Sequence, residues 1–401
     1  MSVETAIRSA PPTPAPLPAA GETGRLPGYM PELDGLRAVA ILSVMAFHLQ
    51  LPFCSLGWAG VFLFFVLSGF LITGILLDAK SDRHYFRNFY ARRALRIFPI
   101  YYVTLFGLLA LAIGTHKTIH DAGWYFVYLQ NYLLGVNSFL PAFPAAFDHS
   151  WSLAVEEQFY FLWPLAVLVL ARRALLGLCV ALFVGAGVAR FAVADLTGSF
   201  SLAFTPLACV VDSLAAGAVL AVLRRSPAAG ACGKGLGYTG VAVGGGGALL
   251  IVAHSGLDRF WTGWMAGPSI NHLLLTSLAI LFAGLILVAL DRETYLAALL
   301  RLGFLRHLGK ISYGLYMYHW PLLLLLPGLL KKCGWEPMRF RYWLPIYLAV
   351  TYLVALASWH IFEKKLIAFK RYFADGVRAA ERRPVELGNE ALRITEPGAA
   401  S

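Results

Sequence analysis

Residues Trp58 to Asp78 read WAGVFLFFVLSGFLITGILLD, with no charge before the closing aspartate. A helix needs about 20 predominantly apolar residues to cross the ~30 Å hydrocarbon core of a bilayer. This stretch alone therefore places the chain in a membrane. Working outward from it, further apolar stretches lie at 36–52, 98–114, 152–171, 174–194, 205–223, 236–253, 272–290, 312–329 and 343–362. The reading is an all-α polytopic bundle of about ten transmembrane helices.

Composition agrees. Of 401 residues, 59% are hydrophobic and only 14% charged, where soluble domains run near half apolar and a quarter charged. Mean hydropathy is +0.67. An ordinary cytosolic enzyme is excluded, and an aromatic content of 14% excludes disorder for most of the chain. The net charge of +11 would point to nucleic acid in a soluble protein. Here it reflects cationic cytoplasmic loops, and no nucleic-acid partner is expected. The cysteines at 54, 179, 209, 232 and 333 form no C-x-x-C pair. Neither a zinc site nor a disulfide framework is expected, and no metal.

Residues 1–29, rich in Pro, Ala, Gly, Ser and Thr, read as a disordered cytoplasmic tail. They lack the charged start and apolar core of a signal peptide. Residues 30–366 form the transmembrane domain, and 367–401 a charged cytoplasmic tail. Placing the N-terminus inside puts Lys80, Arg83, Arg87, Arg92, Arg93, Arg96, Arg172, Arg173, Arg224 and Arg225 in inner loops. The opposite side holds fewer, among them Lys117, Arg259, Lys331, Lys332 and Arg339. Both termini are therefore expected inside a bacterial cytoplasmic (inner) membrane. Gly244 to Gly247 lie within an apolar stretch and read as a close helix-packing site. Gly233 to Gly237 lack Walker spacing and are not a phosphate loop.

Ionisable groups at membrane depth are costly and tend to be functional. In the first stretch Asp34 and Arg37 sit at the inner end, and His48 lies eleven positions beyond Arg37. That is close to three turns, so Arg37 and His48 share a face roughly 16 Å apart. The fourth stretch opens His149-Ser150-Trp151-Ser152-Leu153-Ala154-Val155-Glu156-Glu157. Glu156 reaches a depth similar to His48 and could orient it, or both glutamates could face outer water. If their segment is helical, Arg93 and Arg96 share a face at i, i+3. They could clamp the phosphates of a cytosolic nucleotide, or serve topology and lipid headgroups. Ser312, Tyr316 and His319 form one polar stripe just before Pro321. It could line a tunnel or make helix–helix hydrogen bonds.

Together these segments resemble the acyltransferase-3 family of integral-membrane O-acyltransferases. The signs are Leu33-Asp34-Gly35-Leu36-Arg37-Ala38 followed by His48, matching the family's Arg-x10-His pattern, and Phe64 to Ile72 in the second stretch. Arg93-x-x-Arg96, Trp151 to Tyr160 and Ser312 to Pro321 continue the match in order. The resemblance implies a cytosolic acyl-CoA donor, acetyl-CoA by default, with Arg93 and Arg96 serving it; Arg37, Tyr316 and His319 are read as further donor-binding residues. It implies a role for Arg37 and His48, with His48 catalytic; the catalytic set read from the residues is His48, Glu156 and Asp34, with His48 as general base and Glu156 orienting it. A neutral His48 is required, so activity is expected to fall at acid pH. A covalent acyl-His48 intermediate is the variant mechanism. The expected acceptor is an extracytoplasmic carbohydrate or lipid-linked sugar, as in lipopolysaccharide or other envelope polysaccharides. Some members append an SGNH hydrolase-like domain; here only a short charged tail follows residue 362. Two alternatives stand beside this reading: acylation of a small-molecule sugar such as a macrolide, and glycan or lipid export without acyl transfer.

Overall fold

The computed structural model describes residues 29–116, 119–136, 145–225, 229–255, 271–334 and 340–373. The expectations for most of both tails, and for Lys117, Arg259 and Arg339, lie outside the described residues. Ten long helices account for most of what is described: α1 (Pro31–His48), α2 (Gly60–Asp78), α3 (Tyr85–Gly114), α4 (Trp151–Val169) and α5 (Arg172–Thr197), followed by α6 (Leu207–Leu223), α7 (Ala229–Ser255), α8 (Asn271–Ala289), α9 (Ser312–Lys332) and α10 (Phe340–Ser358). No strand occurs among the described residues.

Among the described residues, eight helices are long and apolar enough to cross a membrane. The two long helices outside that set are α1, which carries Glu32, Asp34 and Arg37, and α9, which carries the polar stripe and ends on Lys331 and Lys332. Both are nonetheless packed inside the bundle, α1 against α2 and α9, and α9 also against α3 and α10. Helix α2 is the hub, touching α1, α4, α6 and α8. Two thirds (67%) of its most apolar window is buried, against 17% for α5, which lies at the periphery with one face on α6. An apolar helix with little protein around it presents its side chains to lipid; Val180, Val184 and Val188 of α5 do so at regular spacing.

Boundaries differ from the apolar pattern in two informative places. Helix α3 begins at Tyr85, so the basic run Arg92 to Arg96 is helical and continuous with the apolar span after it. Helix α1 ends at His48, and the chain then turns through Gln50 and Phe53, both with positive φ. His48 is thus held at a helix end and not in mid-helix.

Two glycine contacts fix the geometry. A Cβ at Gly309, in the short helix Gly303–Lys310, would overlap the backbone of Asp34. That contact seats the inner end of α1. On α7, Gly240 and Gly244 meet the backbone of α8 at Gly284 and Leu281. The glycine run therefore sits in a close helix crossing, as small residues do in lipid.

Candidate active site

Two cavities lie between α1, α2, α4 and α9. The first, about 90 Å³, is bordered by Arg37 of α1, Ser68 of α2, Arg93 and Arg96 of α3, Glu156 and Tyr160 of α4, and Ser312 and Tyr313 of α9. The second, about 200 Å³, is bordered by His48 at the end of α1, by Asp148 and His149, and by aromatic residues including Trp58, Trp151 and Trp320. Val61 and Tyr316 border both. Only a thin wall therefore separates an arginine-lined chamber from a histidine-lined one.

The wall is hydrogen-bonded. Tyr316 donates its hydroxyl to the carbonyl of His149 at 2.7 Å and lies 2.6 Å from Ser152 Oγ. With its one proton committed to the carbonyl, Tyr316 accepts from Ser152. The stripe Ser312, Tyr316 and His319 is buried, and it runs from the first chamber, through the wall, to the histidines of the second.

In the first chamber, Arg37 is oriented by Asp34, whose carboxylate accepts from Arg37 Nη1 at 3.3 Å and from Tyr29 Oη at 2.7 Å. Arg93 lies over the rings of Phe89 and Tyr160, at 5.9 and 5.7 Å from their centroids. Such contacts hold a guanidinium without neutralising it. Neither Arg93 nor Arg96 forms an ion pair with a carboxylate among the described residues. Glu156 Oε1 accepts from Ser68 Oγ at 2.5 Å, and Tyr160 Oη donates to the same serine at 3.0 Å. Glu157 Oε1 is buried with no hydrogen-bond partner.

In the second chamber the His48 ring lies 5.4 Å from that of His319 and 4.4 Å from that of Trp320, centroid to centroid. His319 Nδ1 is 2.6 Å from the carbonyl of Tyr316, its own helix turn. A carbonyl only accepts, so Nδ1 carries the proton and Nε2 keeps its lone pair. That Nε2 is buried without a partner. His149, 5.3 Å from His319, has both ring nitrogens buried and unpartnered. Among the described residues no group of three or more His, Cys, Asp or Glu is placed to hold a metal ion.

Two sequence expectations are corrected here. Glu156 does not reach His48: it borders the first chamber and is tied to Ser68, while His48 borders the second and packs on His319. Similar depth in the bilayer says nothing about which face a helix turns inward, and α4 turns Glu156 towards α2 and α3. Asp34 does not join His48 either, since fourteen residues along one helix put them ~21 Å apart. It pairs with Arg37 instead. Sequence reading passed over Ser68, Ser152, Tyr160 and His149. The signal for His149 was present, a histidine flanking the fourth apolar stretch. Its direction was hidden because Ala145–Ser150 folds as a 3-10 turn ahead of α4.

The fold and this site define a polytopic membrane protein with two cavities enclosed between its helices. Residues 30–360 match the acyltransferase domain of the acyltransferase-3 family, and the chain belongs to that family. It is 38% identical over 152 residues to the peptidoglycan O-acetyltransferase OatA of Listeria monocytogenes. It is 39% identical over 152 residues to YrhL of Bacillus subtilis, whose name gives it as a candidate peptidoglycan O-acetyltransferase. Each match covers 35% of this chain and 24% of the relative. The chain thus matches about a quarter of the length of these relatives. No solved structure matches the chain.

Proposed function

We propose that the protein is a membrane O-acetyltransferase that moves an acyl group from acyl-CoA to a hydroxyl of an envelope carbohydrate. The observation that carries this reading is the meeting of the two chambers at Val61 and Tyr316. Three arginines, two of them without a carboxylate partner, suit the phosphates of CoA. The Arg-rich end faces the cytoplasm, in keeping with the excess of Lys and Arg in the loops on that side. The donor's arm extends past Ser152 and Tyr316, and its thioester meets the acceptor beside His48.

The bond changes balance within the chamber. His48 accepts the proton of the acceptor hydroxyl as its oxygen attacks the thioester carbonyl carbon. The C–S bond breaks, an ester forms, and the proton leaves with the CoA sulfur as thiol. His319 packs against His48 and orients it. The peptidoglycan named for the Listeria relative makes an extracytoplasmic glycan the favoured acceptor.

The test uses purified protein in nanodiscs with acetyl-CoA labelled on the acetyl group and no acceptor. Slow release of labelled acetate, or label bound to protein, that is lost in both His48→Ala and Arg93→Ala is the expected result. Full turnover in His48→Ala would contradict the mechanism. No turnover in well-folded wild type would favour the export reading.

A further inference from the structure

The second chamber does not suit the body of a sugar. Its walls are mostly apolar: Val44, Phe47, Trp58, Val61, Trp151 and Phe204. Its polar groups are four, the His48 and His149 rings, Asp148 and Tyr316; His149 has both nitrogens unpartnered, and Asp148 and Tyr316 are committed. Tyr316 is engaged by Ser152 and by the His149 carbonyl, and Asp148 Oδ1 accepts from Tyr125 Oη at 3.1 Å. A polyol enclosed there would leave several hydroxyls without partners, each at a desolvation cost. One hydroxyl beside His48 and one hydrocarbon chain match the lining instead.

Size points the same way. About 10–15 Å³ of cavity holds one water-sized group. A chamber of about 200 Å³ has room for more than a two-carbon acyl group and one hydroxyl. Position agrees as well, because the chamber opens where the arginine chamber ends, at Val61 and Tyr316. Phe204 forms part of its wall, fixed against the rings of Trp58, Phe62 and Trp151 at 5.9, 5.5 and 5.2 Å between centroids. A wall built from interlocked rings has a definite shape, and a shaped apolar wall discriminates by chain length.

We propose that the second chamber is the acyl-chain pocket of the donor, that Val61 and Phe204 set the chain length accepted, and that saturated acyl groups longer than acetyl enter it. This rests on the acyl-CoA reading above. In the apolar pocket of an enzyme, one methylene is worth roughly 10- to 200-fold in selectivity.

The experiment measures CoA thiol release by the full chain in nanodiscs with acetyl-, butyryl- and hexanoyl-CoA. Wild type is compared with Val61→Phe, which narrows the pocket, and Phe204→Ala, which lengthens it. The quantity read is the ratio of long-chain to acetyl turnover within each protein, so partial loss of folded material cancels. Wild type is expected to use butyryl-CoA within about tenfold of acetyl-CoA. Val61→Phe is expected to lower the butyryl-to-acetyl ratio by about tenfold or more, and Phe204→Ala to raise the hexanoyl-to-acetyl ratio by a similar factor. Acetyl turnover with ratios unmoved by both variants would overturn the pocket while leaving the acyltransferase reading intact. Strict use of acetyl-CoA by wild type would do the same. No thiol release from any acyl-CoA by folded wild type would overturn the acyltransferase reading, and the pocket with it.

Discussion

Arg190 and Arg93 are both arginines enclosed in an apolar helical bundle, and they are held in opposite ways. Arg190 of α5 pairs with Asp212 of α6 at 2.7 Å, and both side chains are fully buried. Its Nη2 also reaches Thr276 of α8 at 2.5 Å and its Nη1 the carbonyl of Cys209 at 2.5 Å. Three helices converge on that one guanidinium. Arg93 has two aromatic faces and, among the described residues, no carboxylate ion pair, and it borders a cavity. A charge inside a bundle is tolerated when paired, so the first arrangement, although Arg190 Nε is buried without a partner, serves to hold helices together. The second has room and charge left for an anion. Within one membrane protein, then, the arginine paired across three helices belongs to the architecture, and the arginine bordering a cavity is the one we propose for anion binding.

Five substitutions test this contrast. The largest effect belongs to the far chamber: His48→Ala is expected to lower acyl transfer by about 100- to 10,000-fold, measured as turnover of labelled acetyl-CoA. Next is the closed cluster. Arg190→Met strands Asp212 and is expected to cost about 3–5 kcal/mol of stability, read as a lower unfolding midpoint in detergent, with KM for acyl-CoA unchanged in the surviving fraction. Adding Asp212→Leu to that variant should restore most of the loss, because a matched apolar replacement of a buried pair is often near neutral. Arg93→Ala should have the converse signature: unchanged unfolding and a KM for acyl-CoA raised by roughly 10- to 150-fold, equivalent to about 1.5–3 kcal/mol. The smallest change is Asp34→Asn, which loosens Arg37 without removing it. It is expected to raise the same KM by a few-fold, about 0.5–1.5 kcal/mol.

Much of the bundle was legible in the sequence because lipid imposes one rule on every span. A helix must be long and apolar enough to satisfy its own backbone in hydrocarbon. Each of the ten apolar stretches coincides largely with a helix, including α1 and α9, whose polar residues dilute their hydropathy. The inner start of α3 was not legible, since Tyr85 to Arg96 is helical by continuity and not by hydropathy. The arginine chamber could be anticipated from Arg93 and Arg96 at i, i+3 together with Arg37 at the end of α1. Which residue faces His48 could not. Depth along a helix follows from counting, but the facing partner depends on rotation and crossing angle. These placed Ser68 beside Glu156 and His319 beside His48. Arg190 and Asp212 left a readable trace: an arginine and an aspartate, each alone in an otherwise apolar stretch, in consecutive spans. Such isolated opposite charges call for each other.

The central claim is that anion binding and proton transfer occupy separate chambers. Equilibrium binding of CoA to wild type, His48→Ala and Arg93→Ala in nanodiscs tests it most directly. The account predicts that His48→Ala binds CoA within about twofold of wild type, while Arg93→Ala binds it about tenfold more weakly or worse. Equal binding by wild type and Arg93→Ala, or loss of binding in His48→Ala, would contradict it.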